Sequence, residues 1–105
     1  MGFRVIEEEN ETIVKMASTN DMWYNFDKTI EELFELGEVL MKKKLKKGAE
    51  KEPSDQAIIE EIGDVFIRLE VLKLLFGSIE VEKRIEEKLA KFEGFYKEGK
   101  YIGSI

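Results

Sequence analysis

An all-α fold follows from three features of this 105-residue chain: a single proline, apolar residues recurring at intervals of three and four, and few alternations of the kind strands show. These features divide it into four helical stretches joined by short polar breaks, with the second and third forming a central hairpin. The expected architecture is a four-helix bundle in one domain over residues 1–105. Its third helix is too apolar to be covered by so short a chain, so self-association is expected to complete the core.

The first helix is expected over residues 8–17, with Ile6, Ile13, Met16 and Ala17 on its buried side. Ser18 and Asp21 read as a capping pair that opens the second helix, running to about Lys46. Along it Trp23, Phe26, Ile30, Leu33, Gly37 and Leu40 recur at alternating three and four, a seam for a neighbouring helix. A charged linker containing Gly48 follows, and Pro53, Ser54 and Asp55 open the third helix, which extends to about Phe76. Gly77 and Ser78 separate it from the fourth, whose apolar side is Val81, Ile85, Leu89, Phe92 and Tyr96. Residues 97–105 are expected to be irregular, with Tyr101, Ile102 and Ile105 available to a neighbouring subunit.

Composition narrows the chemistry. The net charge of -6 and pI near 4.8 argue against a nucleic-acid polymer or an anionic membrane as partner. No cysteine is present, which removes disulfides and thiolate metal sites and makes the cytoplasm the expected location. The absence of histidine removes imidazole base catalysis and His-ligated zinc or di-iron centres. The most apolar stretch, residues 65–76, is broken by Arg68, Glu70 and Lys73 and is too short to span a bilayer.

Carboxylates carry the strongest signal. Glu32 and Glu35, and again Glu61 and Asp64, are three apart, so each pair projects from one face of its helix. Brought together in the hairpin they form a four-carboxylate cage. Two carboxylates about 6 Å apart repel by roughly 3 kcal/mol at an effective dielectric of about 20, and a divalent cation relieves that at neutral pH. Oxygen-only ligands favour magnesium, with manganese able to substitute. The plainer alternative is a solvated acidic face with ion pairs such as Lys28 with Glu32 and Asp64 with Arg68. Gly37 and Gly63, costly within helices, argue against it by pointing to close approach of a helix or ligand.

The segments Glu31-Glu32-Leu33-Phe34-Glu35-Leu36 and Ile59-Glu60-Glu61-Ile62-Gly63-Asp64-Val65 resemble the paired ExxE and ExxD helices of the MazG-like all-α nucleoside triphosphate pyrophosphohydrolases. The resemblance covers about two thirds of the chain. It implies a hydrolase in which magnesium, held by Glu32, Glu35, Glu61 and Asp64, assists cleavage between the α and β phosphates of a nucleoside triphosphate, giving a monophosphate and pyrophosphate. Glu31 or Glu38 would orient the cluster or serve as the base. Lys28, Lys88 and Lys91 would meet phosphate, although Phe92 stands where such proteins often carry asparagine. Tyr24, off the apolar seam, is the candidate for stacking on the base. A homo-oligomer is implied, a tetramer in preference to a dimer, with nucleotide-pool housekeeping as the role. Phosphoribosyl-ATP pyrophosphatase, from the same superfamily, and a non-catalytic helical oligomerisation module are the alternatives.

Overall fold

The computed structural model describes residues 10–99, which form four α-helices: α1 (Glu11–Thr19), α2 (Met22–Leu45), α3 (Asp55–Phe76) and α4 (Ser78–Lys97). No strand occurs among the described residues. None of the helices there is long and apolar enough to cross a membrane. Ile6 and the tail residues Tyr101, Ile102 and Ile105 lie outside the described residues.

Local chemistry sets the helix ends. Asn10 caps α1, its side-chain oxygen accepting from the backbone N–H groups of Thr12 and Ile13 at 3.0 and 3.2 Å. Asp21 caps α2 by accepting from Tyr24 N–H at 2.7 Å. The expected partnership of Ser18 with Asp21 does not form. Ser18 lies inside α1 and its hydroxyl donates to the Val14 carbonyl at 2.8 Å, the back-bonding open to serine in a helix. Ser54 caps α3, accepting from Ala57 N–H at 3.1 Å, one residue after the proline that stops the linker from continuing as helix. Gly77, at φ 120°, closes α3 and opens α4 in a single residue, a backbone conformation that favours glycine. Ser78 is therefore the first residue of α4 and not its cap.

α2 and α3 form the expected antiparallel hairpin. At the linker end, Lys43 Nζ donates to the Pro53 carbonyl at 3.1 Å and pairs with Glu52 at 3.5 Å and Asp55 at 3.4 Å. At the other end the Phe26 and Phe76 rings stack with centroids 5.9 Å apart. α1 packs on α3, anchored by the buried Ile13, and α4 packs more lightly on α3.

Of the expected α2 seam only Phe26, stacked on Phe76, faces α3. The covered positions are Asn25, Phe26, Lys28, Thr29, Glu32, Leu36, Val39 and Lys43, and six of them, Asn25, Thr29, Glu32, Leu36, Val39 and Lys43, also alternate at four and three. Trp23, Ile30, Leu33 and Leu40 stay exposed, Trp23 at 68%, and Phe34 beside them is exposed at 74%. The inner stripe is thus the polar one and the outer stripe the apolar one. Beyond its own helical turn, no atom of the described residues lies within 4 Å of where a Cβ would stand at Gly37 or Gly63, so neither glycine marks a close helix approach among them.

Candidate metal centre

Helical spacing delivers the acids to one place. Glu32 on α2 and Glu61 and Asp64 on α3 each offer a carboxylate oxygen, and these oxygens lie within 4.8 Å of one another. Glu32 and Glu61 are half-buried and Asp64 is exposed, so the group sits at the edge of the hairpin, open on one side. Glu35, the fourth acid of the expected quartet, is exposed and is not among the three whose oxygens converge; its charge still acts on both Glu32 and Glu61.

The electrostatics are those of a site lacking positive charge. Burial pushes the Glu32 carboxyl above the ordinary value, with the charges of Glu35 and Asp64 adding to it. Glu61 is raised by burial, then by Glu35, Asp64 and Glu60. Glu32 Oε2 and Glu61 Oε2 are shielded from solvent and have no hydrogen-bond partner. Orphaned carboxylate oxygens of this kind are costly, and an all-oxygen donor set of this charge fits a hard divalent cation.

A cleft of about 540 Å³ opens beside the acids, within the range of small-ligand pockets. Glu32, Asp64, Ile67 and Arg68 line it from the hairpin, and Asn10, Thr12, Ile13 and Met16 from α1. It joins an anionic end to an apolar wall.

The other expected residues lie elsewhere. Glu31 pairs with Lys28 at 3.3 Å, and Lys28 Nζ also lies 5.8 Å from the centre of the Tyr24 ring. Glu38 pairs with Lys42 at 3.1 Å. On α4, Lys88 Nζ lies 5.4 Å from the Phe92 ring centre and Lys91 Nζ 5.9 Å from that of Phe95. None of these groups lines the cleft. Neither ion pair of the plainer reading forms among the described residues: Lys28 takes Glu31 rather than Glu32, and Arg68 Nη1 has no hydrogen-bond partner and makes no pair with Asp64.

Arg68 and the α1 wall are the parts that sequence reasoning missed. Arg68 follows Asp64 by four, which places it on the same face, and that spacing is the signal that could have found it. The α1 residues carry no comparable mark, because only the docking of α1 on α3 brings them to the acids. No family model, curated protein or solved structure matches this chain.

Proposed function

We propose that this chain is a magnesium-dependent nucleoside triphosphate pyrophosphohydrolase of the MazG-like all-α class. The observation that carries the reading is the convergence of Glu32, Glu61 and Asp64 within 4.8 Å, with two buried oxygens unpartnered, at the mouth of a cleft large enough for a nucleotide. Glu32, Glu61 and Asp64 would hold the cation, with Glu35 closing the set from solvent. When bound, magnesium supplies charge neutralisation and polarisation at phosphorus.

The chain's own residues supply the rest. The carboxylates fix where the triphosphate must enter, since no polyanion approaches them without a cation between. Glu35 also reaches Glu32 and Glu61, which makes it the better placed acceptor for the proton of an attacking water. Glu31 and Glu38, each in an ion pair outside the cluster, would act on it only through Glu35. Ile13, Met16 and Ile67 give the apolar wall against which a base or ribose can rest.

Self-association belongs to the same reading. The outer α2 stripe of Trp23, Ile30, Leu33 and Leu40 has the spacing of a helix seam and is left exposed among the described residues. A second copy of this helix is its natural complement, and a tetramer rather than a dimer would cover both α2 and the exposed apolar side of α3. That stripe is also what favours the second reading, a helical oligomerisation module without catalysis.

Pyrophosphate release from a panel of nucleoside triphosphates with magnesium decides between them. Release that disappears in Asp64→Asn establishes the hydrolase, whereas no release from any triphosphate, nor from phosphoribosyl-ATP, leaves the module.

A further inference from the structure

Every other covered or half-covered cation on the hairpin has an acidic partner. Lys28 has Glu31 at 3.3 Å, Lys43 has Asp55 at 3.4 Å, and Lys73 has Glu70 at 3.2 Å. Arg68 is the exception: half-buried, lining the cleft with Asp64 one turn away, it has an Nη1 group that is shielded from water and hydrogen-bonded to nothing. Guanidinium N–H groups are strong obligatory donors, so an arginine that lines a ligand-sized space without an acidic partner among the described residues calls for an acceptor from outside.

We propose that Arg68 is the anion-recognising residue of the cleft, taking one phosphate of a polyphosphate whose adjoining phosphate shares a divalent cation with Glu32, Glu61 and Asp64. The inference rests on reading that acidic group as a cation site. Arg68 is not a neutralising partner of the acids, since it forms no pair with Asp64 and its Nη1 has no hydrogen-bond partner among the described residues.

The identity of the ligand follows from charge. A guanidinium fork fits phosphate or carboxylate equally, but a lone anion beside this acidic group would be repelled. A ligand that brings its own cation overcomes that repulsion best, and two linked anionic groups let one chelate the metal while the other takes Arg68. A polyphosphate meets this and a monophosphate does not. Lys28, Lys88 and Lys91 do not line the cleft, which leaves Arg68 as the cation among its lining residues.

The test is titration calorimetry of the full chain with magnesium pyrophosphate, comparing it with Arg68→Gln and Arg68→Lys, together with the magnesium-induced shift in Tm for each. Arg68→Gln should weaken pyrophosphate binding by about 10- to 100-fold while leaving the magnesium shift unchanged, and Arg68→Lys, keeping charge without the fork, should fall between. Orthophosphate should bind the unaltered chain at least about tenfold more weakly than pyrophosphate, having no second phosphate to chelate the cation. Equal pyrophosphate affinity in Arg68→Gln overturns the role of Arg68 and leaves the cation site standing. Equal affinities for the two anions overturn the polyphosphate assignment. A magnesium shift without pyrophosphate binding overturns the proposal alone, whereas no magnesium shift in the unaltered chain removes the cation site and the proposal with it. If Arg68→Gln does not fold, Arg68→Lys decides, and unaltered affinity there together with equal orthophosphate binding overturns the proposal.

Discussion

The acidic group makes the metal-free protein sensitive to pH in a defined direction. The carboxyls of Glu32 and Glu61 lie above their ordinary values, through burial first and through Glu35 next, so the folded state holds their protons more tightly than the unfolded chain does. Their contribution to stability is complete below the unfolded carboxylate pKa of about 4.3 and is lost as pH rises through the raised values. In EDTA, Tm should therefore fall from mildly acidic towards neutral pH, and Glu32→Gln should flatten that fall; under the proposed function, magnesium should raise Tm in the unaltered chain and not in this variant. Asn25 carries a separate prediction. It is fully buried with neither side-chain oxygen nor nitrogen partnered, so Asn25→Ala should cost less than about 1 kcal/mol in urea unfolding, because removing unpaired polar atoms offsets lost packing. Val71→Ala, equally buried, should cost about 2 kcal/mol. The carboxylates were legible in the sequence because spacing of three fixes a helical face whatever the tertiary fold. Arg68 was not, because an arginine four after an aspartate reads first as its ion-pair partner, and only the structure shows that the pair does not form.

At the scale of the helix, the caps were readable where one residue type does the work. Pro53, Ser54 and Asp55 gave the start of α3 to the residue, and Ser54→Ala should lower stability by about 1 kcal/mol, with Ser54→Gly costing only a few tenths. Ser18 misled because a hydroxyl can serve its own helix as readily as the next one. The α2 stripe misled for a larger reason: hydrophobic spacing identifies a seam but not its partner, and this helix carries two seams at once. α3 hides a similar surprise in its buried pair, Glu70 and Lys73, 3.2 Å apart beside the apolar groove between α3 and α4. Lys73→Met alone should destabilise by about 3–5 kcal/mol by leaving the Glu70 charge buried, whereas Glu70→Leu combined with Lys73→Met should be near neutral or stabilising. Denaturant midpoints for the single and double variants give that comparison directly.

For the whole molecule, the surface is the quantity that matters. Among the described apolar residues only Ile13, Val65 and Val71 are buried, while large ones such as Trp23, Phe34, Leu45 and Ile79 stand well exposed. Sedimentation should accordingly report a species heavier than one chain, and Ile30→Lys with Leu33→Lys should reduce it to a monomer with a lower Tm. The all-α class was legible because local periodicity determines it; the disposition of the outer faces was not, because hydrophobic spacing does not say which face a neighbouring helix covers. The cleft adds a further consequence through α1. Nine residues are fewer than an isolated helix needs to persist in water, so α1 exists as a helix only while Ile13 keeps it docked on α3. One wall of the cleft is therefore an equilibrium, and apparent affinity is the intrinsic affinity scaled by the fraction of time α1 is seated. Amide exchange in α1 should slow when the cleft fills, and Ile13→Ala should weaken binding without altering any group that touches the ligand's charge.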